Sequence, residues 1–114
     1  MDLPDEGDLI WLNFSRHAGH EQAARRAGLV LSPLAYHLRC DYTVVCPITS
    51  NTRPYPYKVF LPQGSPIEGV VLADQVKSID RSSRDLKIVG RVPVDVLNEV
   101  RSRLASLIMP GIIP

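Results

Sequence analysis

The chain is predicted to be mainly β, a small curled barrel with one helix at its C-terminal end. Three observations point there. Short runs rich in Val, Ile, Thr and Tyr follow one another, separated by turns built on Pro, Gly, Asn and Asp. Only one long stretch, close to the C-terminus, has helical periodicity. The 114 residues allow one domain with a modest core. Residues 1–114 are therefore read as a single domain, with 1–6 expected to be flexible and 111–114 a short apolar tail.

The elements follow in order. Gly7–Phe14 reads as a first strand with apolar residues on both faces, Leu9 and Trp11 against Ile10, Leu12 and Phe14, so it should be covered on each side. Ser15–Gln22 is a polar loop. Gly28–Leu31 is a second, short strand. Ser32-Pro33 fits an N-cap with Pro at the first helical position, giving one or two helical turns over Leu34–Arg39. Tyr42–Thr49 is a third strand, in which Pro47 marks a bulge or the far end. After a Pro-rich connection over Ser50–Pro56, Tyr57–Leu61 alternates as a fourth strand. Gly69–Ile79 starts almost wholly apolar and then alternates, and is the best candidate for a central strand. Leu86–Val92 is the last strand. Pro93 opens the C-terminal helix, whose Val96, Leu97, Val100, Leu104, Leu107 and Ile108 share one face.

Composition narrows the function. No apolar run approaches the roughly 20 residues of a membrane span. The acidic N-terminus lacks the cationic-then-apolar order of a signal peptide, which suggests a cytoplasmic protein. Cys40 and Cys46 have neither zinc spacing nor a second cysteine pair and read as reduced thiols in or near the core. His17 and His20 are three apart on the polar loop, with no third ligand at a telling spacing, so a metal site is not expected. Net charge is +1, but four of the twelve acids, Asp2, Asp5, Glu6 and Asp8, lie in the first eight residues. The remaining eight face thirteen cations, so the body is near +5, and ten of those cations are Arg. Arginine suits bidentate contact with phosphate and stacks on bases. A mixed solvated surface explains the charge equally well.

Several reactions are not supported. No G-x-S-x-G nucleophile motif, phosphate-binding loop or dinucleotide fingerprint is present. What remains is a set of arginines, hydroxyls and amides at strand ends: Arg25, Arg26, Thr49, Ser50, Asn51, Asp74, Gln75 and Lys77. Such a set can bind phosphate, and it can stabilise a pentavalent phosphorane as charge builds on the non-bridging oxygens. That suffices for RNA cleavage without a metal, because the substrate's own 2′-hydroxyl is the nucleophile. The protein has to align that hydroxyl and neutralise developing charge. Arg stays protonated at working pH, so electrostatic stabilisation is the role expected of Arg26. The simpler reading leaves Arg25 and Arg26 as surface cations and Thr49 as a strand residue.

Several segments resemble one family in order and spacing. Gly7-Asp8-Leu9-Ile10-Trp11-Leu12-Asn13-Phe14, Glu21-Gln22-Ala23 ahead of Arg26, Val30-Leu31-Ser32-Pro33, Pro47-Ile48-Thr49-Ser50, Tyr55-Pro56-Tyr57 and Gly69–Ile79 together are similar to the MazF/PemK toxins. The resemblance spans about residues 7–109. It implies an SH3-like barrel of the CcdB/PemK type, with a short helix after strand 2 and a C-terminal α-helix, forming a homodimer. It implies a metal-independent, ribosome-independent, sequence-specific endoribonuclease that leaves a 2′,3′-cyclic phosphate and a 5′-hydroxyl, needs no cofactor and is blocked by a MazE-like antitoxin peptide. The family's catalytic residues fall on Arg26, Thr49 and Glu21. RNA contacts are expected from Arg25, Gln22, Ser50, Asn51, Tyr55, Gln75 and Lys77. The alternative is a non-enzymatic toxin of the CcdB kind that binds DNA gyrase; a further one is a catalytically inert RNA-binding barrel. The sequence departs from the family in one place. Arg26 is followed by Ala27-Gly28 where the family has Pro, so Arg26 is expected to be less firmly positioned before RNA arrives.

Overall fold

The computed structural model describes residues 2–13 and 25–111, apart from the side chain of Ser83. The strands are β1 (Asp8–Asn13), β2 (Arg25–Val30), β3 (Tyr42–Thr49), β4 (Lys58–Phe60), β5 (Val70–Leu72), β6 (Lys77–Asp80) and β7 (Leu86–Arg91), with helices α1 (Leu34–His37) and α2 (Val94–Ile108). The strands form one antiparallel sheet in the order β4-β5-β3-β2-β1-β7, with β6 also paired to β3. The expected mainly β fold with a C-terminal helix is the one observed.

Strand alternation divides the core in two. Leu9, Leu29, Cys46, Ile48 and Val71 point to one face, where Val96, Leu97 and Val100 of α2 cover them. Ile10, Leu12, Val30 and Val45 point to the other. There the sheet curls until Ile79 of β6 and Leu86 and Ile88 of β7 join the same cluster. The first strand is thus apolar on both faces because both faces are buried. On α2 the expected apolar face holds through Val100 and partly through Leu104, but Leu107 and Ile108 are exposed. The helix runs past the edge of the sheet before its apolar stripe ends.

Four expectations are corrected. The Gly69–Ile79 segment is two strands, not one. A 3₁₀ turn at Ala73–Gln75 breaks it. β5 pairs with Ile48 and Thr49, whereas β6 pairs with Tyr42–Val45. The long central strand is β3. Pro47 lies between these two partners, where no ladder on that edge needs its missing N–H. Second, β2 begins at Arg25, three residues before the expected Gly28, because Arg25 and Arg26 pair with Asn13 and Leu12. Third, α1 is only four residues, and Ser32 does not cap it. The Ser32 hydroxyl accepts from Val44 N–H at 2.8 Å and lies 2.7 Å from His37 Nε2. His37 Nδ1 donates to the Pro4 carbonyl at 2.7 Å, which can only accept.

The fourth correction concerns residues 2–6, within the segment expected to be flexible. Pro4 is fully buried, Asp5 accepts from Leu34 N–H at 2.9 Å, and Glu6 pairs with Arg101 of α2 at 2.7 Å. No described helix is long and apolar enough to cross a membrane. Glu21, Gln22, His17, His20, Phe14 and residues 112–114 lie outside the described residues.

Candidate active site and nucleic-acid interface

The end of β3 carries the site. Ala27 pairs with Ile48 in the β2–β3 ladder. One step outward in that antiparallel register, Arg26 stands opposite Thr49. Residues directly opposite across such strands project from the same face, so the two candidate catalytic side chains share a face at one end of the sheet. Arg26 is exposed, and its Nη1 donates to the Arg25 carbonyl at 3.0 Å.

The residues that stand where the family has proline are strand residues. Ala27 and Gly28 are buried strand residues paired on both edges, with Trp11 and Ile10 on one side and Ile48 and Pro47 on the other. Two ladders hold the chain immediately after Arg26, and Arg26 itself pairs with Leu12 of β1.

Thr49 opens onto a cleft of about 350 Å³ lined by Asn51, Arg53, Pro54, Tyr55, Lys58, Leu72, Asp74 and Gln75. Local hydrogen bonds shape it. The Thr49 hydroxyl oxygen accepts from Asn51 N–H at 3.2 Å. That contact orients the hydroxyl and leaves its hydrogen to donate outward. Asn51 Oδ1 accepts from Arg53 N–H at 3.0 Å, an Asx turn that reverses the chain. Lys58 Nζ, on β4, donates to the carbonyls of Asn51 and Arg53 at 2.8 and 2.9 Å. Arg103 of α2 donates to the Pro56 carbonyl. The connection after β3 is therefore a braced wall.

The opposite wall comes from the 3₁₀ turn. Tyr55 donates its phenol to Asp74 Oδ2 at 2.8 Å, and that bond is the main reason its pKa is raised. The ring stays half-exposed, 5.8 Å from Tyr57 and tilted to it, a flat surface on which a base can stack. Asp74 also helps to raise the Cys46 thiol, which burial is the larger factor in pushing up to about 12. Cys46 is thus a core thiol and not a nucleophile.

The expected residues divide accordingly. Thr49, Asn51, Tyr55 and Gln75 meet at the cleft. Arg26 stands beside Thr49 by register without lining the cleft. Ser50 and Lys77 are exposed nearby and do not line it. Arg25 projects to the opposite face from Arg26, beside Trp11. Arg53 and Lys58 line the cleft without having been expected there, and Asp74, expected only within the strand-end group, lines it too. Lys58 reads as an outward strand residue, and only its reach back to Asn51 reveals its role. No group of three or more His, Cys, Asp or Glu able to hold a metal exists among the described residues.

The family model for PemK-like, MazF-like toxins of type II toxin–antitoxin systems matches residues 5–108. The chain is 39% identical over 106 residues to the endoribonuclease toxin MazF of Escherichia coli strain K12, covering 93% of this chain and 95% of that one. It is 33% identical over 108 residues to the E. coli endoribonuclease PemK, covering 91% and 81%. A crystal structure of MazE-MazF (Form-II) from Deinococcus radiodurans superposes with a TM-score of 0.85 at 42% identity, over 96% of this chain and 98% of that one. These matches give the gyrase-binding alternative no support. The chain belongs to the PemK/MazF family of toxins from type II toxin–antitoxin systems.

Proposed function

We propose that this chain is a sequence-specific endoribonuclease toxin that cleaves single-stranded RNA without a metal, in the cytoplasm, as a homodimer held in check by a MazE-like antitoxin. The observation that supports the reading is the β2–β3 register, which, continued one step past the Ala27–Ile48 pair, sets Arg26 opposite Thr49, beside a braced cleft of a size to take a nucleotide base. Family membership supports the activity.

In this mechanism the substrate's 2′-oxygen attacks the adjacent phosphorus and the bond to the 5′-oxygen breaks. The products are a 2′,3′-cyclic phosphate and a 5′-hydroxyl. The 2′ proton is removed and one is delivered to the leaving oxygen, with no water or cofactor consumed. The Arg26 guanidinium stabilises the charge that grows on the non-bridging oxygens. Thr49 donates its hydroxyl hydrogen to one of them. Glu21 orients Arg26 or assists the proton transfer. Asn51, Tyr55 and Gln75 hold a neighbouring base in the cleft, and base-edge contacts there set the cut sequence. Ser50 and Lys77, exposed at the same end, with Arg25 and Gln22, contact the backbone.

The test is end-group analysis of a cleaved oligoribonucleotide, with a single 2′-deoxy nucleotide at the cut as control. The deoxy substrate should resist cleavage. Arg26→Ala should cut roughly a hundred- to a thousand-fold more slowly while unfolding at the same temperature. Cleavage of the deoxy substrate would eliminate 2′-hydroxyl attack, and a fully active R26A would remove Arg26 from the mechanism.

A further inference from the structure

A second cleft, of about 290 Å³, opens on the sheet face opposite Arg26 and is lined by Trp11, Arg25, Lys87 and Val89. Its construction follows from the register. β1 lies between β2 and β7, so Trp11 faces Ala27 on one side and Lys87 on the other. Arg25 sits opposite Asn13, diagonal to Trp11 and within reach of its ring. The indole packs against the main core while remaining partly open, so it is held in place and not swinging. Two cations flank it, and no carboxylate is among the described lining residues. Like charges converging on an aromatic surface repel unless an anion lies between them. A stacking surface between cations fits single-stranded nucleic acid.

We propose that this cleft is a second nucleotide subsite, in which Trp11 stacks on an unpaired base and Arg25 and Lys87 hold the phosphates beside it. The proposal rests on the endoribonuclease reading and extends it to Trp11 and Lys87. Arg25 and Arg26 are consecutive, with Cα atoms about 3.8 Å apart and side chains on opposite faces. An RNA strand whose scissile phosphate lies at Arg26 and Thr49 reaches Trp11 by rounding this end of the sheet. The subsite therefore binds a nucleotide flanking the cut, not the cut itself.

Trp11 is the chain's single tryptophan, so fluorescence excited selectively at tryptophan, and not at the tyrosines, reports on this cleft alone. The probes are two oligoribonucleotides made resistant by a 2′-deoxy nucleotide at the cut. One is trimmed close to it; the other is extended by several nucleotides on both sides. The extended probe should quench Trp11 and bind about tenfold more tightly, the scale of one stacked base. The trimmed probe should leave the fluorescence unchanged. Lys87→Ala, on an exposed side chain, should abolish most of the length advantage and lower the slope of log affinity against log salt by about 0.7. Trp11→Phe keeps a ring and should retain part of the advantage. Equal affinity for both lengths, or no quenching, in a protein that still cuts RNA would overturn the subsite and leave the activity standing. Quenching by an acidic peptide without any length effect would assign the cleft to a protein partner and overturn it as well. A protein that neither binds nor cuts RNA would remove the activity and the subsite together.

Discussion

Tyr55 and Asp74 are nineteen residues apart in sequence and 2.8 Å apart in space. Each had a local reading, Tyr55 as part of a Pro-rich connection and Asp74 as part of an emerging strand. Their partnership depends on a turn and a strand pairing that no local pattern encodes. The bond acts on the phenol, whose pKa is raised first by donation to Asp74, then by desolvation and the carboxylate's charge. A raised pKa means that the fold favours the neutral phenol. Its stabilising contribution is complete below the ordinary value of 10 and disappears as pH rises through the higher folded value. Followed by phenolate absorbance in the folded protein, Asp74→Asn should shift one tyrosine ionisation down toward 10. Tyr55→Phe should delete that ionisation. Because the same bond holds the ring as a cleft wall, D74N should also raise KM for RNA more than it lowers kcat. An unshifted titration in D74N would sink this account.

At the scale of elements, the site depends on how β5 meets the end of β3. Thr49 pairs with Val70, and Gly69, just before it, has a φ of +136°. A Cβ at Gly69 would lie 2.4 Å from the Thr49 carbonyl oxygen, far inside contact distance and against backbone that cannot swing away. Gly69→Ala is therefore strained by conformation and by collision. It should cost about 1–3 kcal/mol in denaturant unfolding, and it should slow RNA cleavage further by displacing Thr49. A G69A protein of unchanged stability would show that the close approach is relieved elsewhere. The sequence made β1, β3 and the start of α2 legible, because their apolar alternation or helical period is complete within each element. It concealed the break at Ala73–Gln75, because Val70–Ala73 and Ile79 keep an apolar character on either side of the turn. It likewise concealed the first residues of β2. Arg25 and Arg26 are polar, and only their pairing with Asn13 and Leu12 makes them strand.

At the scale of the molecule, charge is sorted. The acids at the N-terminus are held by cations from distant elements. Arg91 lies 3.6 Å from Asp8 and 3.9 Å from Asp5, and Arg101 lies 2.7 Å from Glu6. The acidic cluster stands out in the sequence from the rest of the charge, but its role as a strap does not, because its partners are up to 95 residues away. Within the strap Asp5 is the hub. Its carboxylate accepts from the N–H groups of Glu6 at 2.8 Å and Leu34 at 2.9 Å, joining the N-terminus to the first turn of α1. Its pKa is lowered, first by the Leu34 bond, next by the Glu6 bond, with Arg91 adding a smaller attraction against the opposing effect of burial. A depressed carboxylate contributes stability that is present above its ordinary value of 3.8 and is lost as pH falls through the lower folded value. Asp5→Ala removes the acceptor. It should cost about 1 kcal/mol at neutral pH, the usual loss when a helix start gives up its side-chain acceptor. The gap between wild type and variant should then narrow as pH falls below 3.8, where the unfolded chain is protonated first, and close below the lower folded value, where the native carboxyl is protonated and releases the same two N–H groups. Paired urea unfolding curves across that range measure it. A gap that stays constant with pH would mean that Asp5 acts by shape alone, and not through the charge that the two backbone donors hold.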